Sequence, residues 1–361
     1  MKGQNNSFFV VQELSIFALS KNVFMVLFIL FRYVSLLLLF SLLFLSCGDD
    51  SHDLIGNDDG NAGNGHGNTG PVAIEYVSFY GDTLSLYAWE GSHVTILSRK
   101  SSLSSIIMGR WGVVMDSTYT FYKRATGQVP DPYPPTTLNG RVTIADVPYT
   151  CGAGCGYLGA HGIELLNEYF DKVYDQISKN GTYSQIPFYE FGRNFWFYSP
   201  QLQYKQNDPV VTGFAVFMRF MAMEATGVEG APWHGHPFDD FVDAVKELVE
   251  IYLADSFYSW ENTLGQGKGV INPKNLGGSD LFASFLFQLR DNYGGEKFVN
   301  NIWKEAAKRP VAVTTQDAVD NFFLSACSAA ETNLTEQFEI WRWPLSDQAK
   351  EEAEQFSQLH F

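Results

Sequence analysis

Residues 186–198 read IPFYEFGRNFWFY, and the fold assigned to the chain turns on what this stretch is. As a helix it places Tyr189 and Arg193 one turn apart on the same face, with Glu190 beside them. A carboxyl group next to a phenol and a fixed cation is a combination with chemistry: the acid can give or take a proton, and either neighbour can steady an oxyanion. A second helix-like segment, GFAVFMRFMAMEATG at 213–227, contributes Glu224. The plainer reading of the same residues is an amphipathic helix with an incidental Glu and Arg. The aromatic run Phe195, Trp196, Phe197 would fill the space if no cleft exists.

Upstream, the pattern is mixed. Ala73–Ser78 and Leu84–Tyr87 alternate like strands, and His93–Leu97 reads as a short buried strand. Residues 101–125 carry Leu103, Ile106, Ile107, Trp111, Val114, Met115, Tyr119 and Tyr122 at helical spacing, with Gly127 as the stop. PDPYPP at 130–135 is an extended loop, Arg141–Val147 another strand, and the glycine-rich CGAGCGYLGAHG at 151–162 precedes a helix near 166–179. Downstream the chain is mainly helical. Phe241 to Tyr252 is one amphipathic helix, Leu281–Tyr293 another, and Thr314 and Thr315 open a third through Phe323. A strand-rich half followed by a helical half predicts an α+β fold, with subdomains at about 72–200 and 201–361 of one domain, 72–361.

The spacing of Tyr189, Glu190 and Arg193 resembles the H-E-x-x-H helix of zinc metallopeptidases, with Tyr and Arg where the two histidines belong. Glu190 matches the general-base glutamate, and the segment bearing Glu224 resembles the helix that supplies a third, glutamate ligand in gluzincins. The order of strand, long helix ending in FYKRATGQVP, strand, glycine-rich segment and motif helix is similar to the zincin amino-terminal subdomain, and NLTEQFEIWRWPLS at 333–346 resembles the closing segment of enhancin-like and mucin-targeting members. The resemblance implies a zincin-like mixed amino-terminal subdomain and a mainly helical carboxy-terminal one. It also implies a cleft that takes in Asn194 and His161, and a glycine-rich stretch near the substrate-binding edge strand.

The departure from that family is chemical. Zinc needs about three protein ligands, whereas tyrosine is a poor ligand and arginine stays protonated. A guanidinium about 4 Å from a divalent cation is repelled by roughly 8 kcal/mol, twice the value for unit charges at an effective dielectric of 20. Neither zinc nor another cofactor is therefore expected at the motif. Instead, Arg193 is expected to bridge Glu190 and Glu224 with its fork. His234 and His236 in WHGHP, followed by Asp239 and Asp240, are the other place a metal could be held, against the simpler reading of a loop that caps a helix.

The amino terminus sets the location. Residues 23–46 are apolar except for Arg32 and run through YVSLLLLFSLLFLS into Cys47. Such a core ending in a small residue before cysteine has the pattern of a secretory signal, and FLSC resembles a bacterial lipoprotein processing box. A membrane-spanning helix is the competing reading. Met25 would serve as a start as well as Met1. The expected location is the outer membrane, lipid-anchored through Cys47 and facing the cell surface. Residues 48–71, rich in Gly, Asn and Asp, are expected to form a flexible tether.

The whole chain carries −16, and the three cations and one acid of residues 1–47 leave −18 for the remainder. That charge argues against nucleic acid, which needs clustered Lys and Arg. Of the cysteines after Cys47, Cys151 is spaced for a disulfide with Cys155, although pairing with Cys327 stays open, and Cys327 otherwise reads as a buried thiol. No G-x-S-x-G elbow occurs. Three functions remain: a binder of peptide, glycoprotein or glycan in a former active-site cleft, a hydrolase using Glu190 as acid or base, and a structural or adhesive lipoprotein.

Overall fold

The computed structural model describes residues 71–205, 208–233 and 235–358. Cys47, the apolar segment and the tether before Pro71 lie outside the described residues, as does His234.

Seven strands form one mixed sheet. β1 (Val72–Val77), β2 (Thr83–Glu90) and β3 (Val94–Ser98) are an antiparallel meander. A long helix, α1 (Ser105–Thr126), then crosses over to β5 (Arg141–Val147), which runs parallel to β3, and the two-residue β4 (Thr137–Leu138) is an antiparallel flap on β5. β6 (Gly154–Gly156) and β7 (Ile163–Leu166) complete the order β1-β2-β3-β5-β7-β6, with β7 parallel to β5 and β6 antiparallel at the edge. The central strands β3 and β5 are buried almost throughout, as expected for parallel strands covered on both faces. Val94, Ile96, Val142, Ile144, Ile163 and Leu165 face the helices, while Leu97, Ala145 and Val147 turn to a smaller cluster with Tyr76 and Leu86.

Helices α2 (Asn167–Asn180), α3 (Ile186–Asn194) and α4 (Ser199–Leu202) follow the sheet. α5 (Pro209–Thr226) is capped by the Asp208 carboxylate, which accepts from the Val210 and Val211 N–H groups, and is apolar nearly all round. α6 (Phe238–Lys246), α7 (Leu248–Ala254), α8 (Gly278–Asn292), α9 (Glu296–Ala306), α10 (Thr315–Ala330), α11 (Thr335–Ile340) and α12 (Asp347–Ala353) make up the rest. The fold is thus α+β, with an amino-terminal sheet and a helical carboxy-terminal part. One hydrophobic cluster runs from Val94 to Phe356, so both parts share a core.

Two expectations need revision. The amphipathic helix placed over Phe241–Tyr252 is two helices, α6 and α7, meeting at Glu247. The motif helix stops at Asn194, and Phe195 and Trp196 turn back into the core, where Phe195 packs against Tyr119 and Tyr122 and Trp196 against Phe214.

The position of α3 is fixed by α1 and α5. Tyr122 of α1 donates its hydroxyl to the Phe188 carbonyl at 2.8 Å. One turn further on, Gly192 meets α5 so closely that a Cβ there would lie 2.7 Å from the Ala215 Cα. Glycine is what allows this crossing, because added volume in such a contact costs typically 1–3 kcal/mol (roughly).

Candidate functional site

β6 and α3 build the site between them. The sequence around β6, TCGAGCG, folds into a short edge strand pinned by a Cys151–Cys155 disulfide with a Cα–Cα distance of 5.5 Å. Cys327 remains a buried free thiol. A Cβ on Gly156 would come within 2.7 Å of the Glu190 carbonyl oxygen and 3.2 Å of its Oε2. The strand therefore lies directly on the motif helix at Glu190. That residue is 5 % exposed. Burial pushes its carboxyl up to about 7, against the pull of the Arg193 charge and the Gly156 N–H.

Beside Glu190 opens a cavity of about 450 Å³. Its walls come from β6 (Gly154), α2 (Tyr169, Lys172), α3 (Tyr189, Glu190) and α5 (Arg219), with Trp233 among its lining. Arg219 escaped the sequence reading, and it is the most unusual group here. It is 9 % exposed, forms no ion pair or hydrogen bond among the described residues, and its Nε has no partner. Its guanidinium stacks over Phe220 at 4.6 Å, Phe241 at 5.1 Å and Tyr189 at 5.7 Å from the ring centroids. Burial pulls its pKa down to about 10, with Asp280 the leading opposing charge. The signal was present as a single cation inside FAVFMRFMAM, where every neighbour is apolar.

Of the residues singled out from sequence, Tyr189 and Glu190 line this cavity. Burial and Glu190 raise the Tyr189 phenol, with Arg193 and Arg219 acting in the opposite sense. Arg193 is half-buried and makes no side-chain hydrogen bond or ion pair among the described residues, so the expected bridge from Arg193 to Glu190 and Glu224 does not form. Glu224 is instead paired with Arg290 of α8, and its side chain is 58 % exposed. Its position explains this. Glu224 is five residues beyond Arg219, about 140° around the helix, and it borders a separate cavity of about 850 Å³ with Phe220, Met221 and Phe238.

Asn194 and His161 do not reach the first cavity either. Asn194 is fully buried and donates from Nδ2 to the carbonyls of Tyr157 at 2.9 Å and Gly162 at 3.0 Å, tying the end of α3 to the glycine-rich loop. His161 is buried, with Nδ1 3.1 Å from the Thr137 hydroxyl and its carbonyl accepting from Thr136 at 2.6 Å. Burial lowers its pKa. Both residues hold the loop. His236 forms an isolated bridge with Trp233, and no group of three metal-ligating side chains occurs among the described residues. A second buried carboxyl, Glu164 of β7, was also missed. It accepts from the Phe79 N–H at 2.7 Å and the Tyr76 hydroxyl at 3.2 Å, and burial raises it to about 7.

No protein-family model and no curated protein matches this sequence. Among solved structures, a conserved Bacillus anthracis str. Ames protein described as functionally unknown is similar at a TM-score of 0.51 and 9% identity, over 75% of this chain and 51% of that one. The chain thus spans about half the length of that structure. The likeness is one of fold alone. Two metallopeptidases score below one half and carry no weight. They are one from Bacteroides thetaiotaomicron (0.46, 12% identity, 77% of this chain and 47% of that) and the M60-containing ZmpB structure from Clostridium perfringens (0.48, 13% identity, 78% and 27%).

The raised Glu190 carboxyl has a consequence for stability. Below about pH 4.5 both folded and unfolded chains hold this proton; as pH rises toward 7 only the folded chain keeps it, so the stability it contributes is present at low pH and lost through about 7. At 1.36 kcal/mol per pKa unit the loss approaches about 3 kcal/mol. Urea unfolding of Glu190→Gln should therefore match wild type least well at pH 8, where the variant is the more stable, and show a shallower fall between pH 5 and 8. An unchanged slope would show that Glu190 ionises freely in the folded protein.

Proposed function

We propose that this is a lipid-anchored surface protein that uses a metallopeptidase-like cleft, without the zinc ligands, to bind a segment of peptide, glycoprotein or glycan. The observation that carries this reading is the set of groups around Glu190. The motif helix supplies Tyr189 to the cavity wall and Arg193, whose charge acts on Glu190, and the facing helix α5 supplies Arg219. A zinc ion needs neutral or anionic donors. Two guanidinium groups offer none, and a phenol held above its ordinary pKa stays protonated and is a poor one at neutral pH. The residues present do not fit zinc.

What the groups can do is bind. β6 ends the sheet, and an extended chain can add to such an edge. The adjoining cavity has aromatic walls in Tyr169, Tyr189 and Trp233, with charged groups set among them. A second reading, hydrolysis with Glu190 as acid or base, draws on its pKa of about 7 beside the cavity, a value suited to proton transfer at neutral pH. Anchoring rests on the apolar run into Cys47, since two or more acyl chains at about 0.8 kcal/mol per buried methylene hold a protein firmly.

Incubating the purified protein with O-glycosylated mucin fragments and with casein peptides, followed by capture and mass spectrometry, separates these readings. Retention of either class with intact termini is the expected outcome. New termini that vanish in Glu190→Gln would replace binding with hydrolysis, and retention of neither would remove the cleft reading. For the anchor, the protein made in a Gram-negative host should begin at a diacylglyceryl-modified Cys47, and Cys47→Ala should leave the membrane fraction. An unmodified Cys47 retained behind an uncleaved apolar segment would contradict lipidation.

A further inference from the structure

We propose that the cavity beside Glu190 recognises a carboxylate, held by Arg219 and flanked by hydrogen-bond donors of the same ligand. The inference rests on the cleft being a ligand site. A charged side chain taken out of water without a partner costs several kcal/mol (roughly), and proteins ordinarily pair such a group or keep it at the surface. Arg219 is nine-tenths buried and lines the cavity without an anion or a hydrogen bond among the described residues. Stacking on Phe220, Phe241 and Tyr189 offsets part of the cost and leaves the planar N–H groups unused. A guanidinium packed among rings with its N–H fork free can make a two-pronged contact with a planar oxyanion.

Charge selects the class of ligand. Among the described residues the cavity lining holds two cations, buried Arg219 and exposed Lys172, and one acid, Glu190, in a chain whose net charge is −16. One buried cation suits one negative charge. A doubly charged phosphate would bring a second charge into a cavity that already contains Glu190. The lining includes Gln176 and Gln185 as well, and each has a side-chain carbonyl oxygen with no hydrogen-bond partner. Two orphaned acceptors near a donor-rich cation call for a ligand with N–H or O–H groups close to its carboxylate. The carboxyl end of a peptide and an acidic sugar share that chemistry.

Two matched pairs of probes test this by calorimetry on the intact protein: acetyl-Ala-Ala-Tyr as free acid and as amide, and glucuronic acid and glucuronamide. In at least one pair the acid should bind about ten-fold or more tightly than the amide, the effect of a charged hydrogen bond of about 1.4 kcal/mol. The pair that shows the preference identifies the source. Arg219→Gln should bring the ratio close to one, and Arg219→Lys should keep part of it. Equal binding of acid and amide by wild type would overturn the carboxylate inference while leaving the cleft a binding site. A preference undiminished in Arg219→Gln would overturn the role of Arg219. Failure of all four probes at millimolar concentration would overturn the inference too, whereas the cleft reading would then stand or fall with the mucin and casein capture.

Discussion

The contact between the edge strand β6 and the motif helix α3 is the constraint on which the rest of the site depends. Gly156 lies so near the Glu190 backbone that any side chain there would collide with it. The Cys151–Cys155 bridge limits how far the strand can move, and Asn194 holds the far end of the helix to the loop that follows. With α3 pressed against β6 on one side and against Ala215 of α5 on the other, the Glu190 carboxyl is enclosed at the end of the sheet. Its raised pKa follows from that enclosure and not from a neighbouring acid.

The same enclosure explains why two charges stand here at a cost to stability. Glu190 loses solvation, and Arg219 loses it without gaining an ion pair. Replacing such groups by apolar residues of similar volume would ordinarily be neutral or stabilising. Local cost concentrated at a cavity is the usual mark of a site kept for binding or catalysis. Several elements away from the site follow the ordinary rules. Asp208 and Thr314 cap their helices, Asp146 is paired with Arg99, and the aromatic residues of the closing segment, Phe338, Trp341 and Trp343, pack on one another.

Much of the scaffold was legible because its periodicity is strong. The strands before residue 98, the long helix ending at Gly127 and the strand Arg141–Val147 all sit within a few positions of where alternation and helical spacing place them. β6 was hidden, since three residues of Gly and Cys carry no alternation and are strand only because β7 lies beside them. Glu247 gave no sign of dividing α6 from α7, as it is neither Gly nor Pro. At the site, Tyr189 and Glu190 were legible through one-turn spacing. Glu224 was misplaced because charge alone does not say which face of a helix is covered, and Ala215 is what identifies the face of α5 that meets α3. Arg219 lies one turn from Ala215 on that face.

The reading proposed for this cleft is that Tyr189, Arg193 and Arg219 leave it without the ligands zinc would need. Elemental mass spectrometry after zinc loading and dialysis tests it most directly, on wild type and on the variant combining Tyr189→His, Arg193→His and Arg219→Glu. The account predicts wild type without stoichiometric zinc and a folded variant holding about one ion per chain, the complement of a three-ligand site. Tightly held zinc in wild type that survives removal of His236, or a folded variant that binds none, would contradict it.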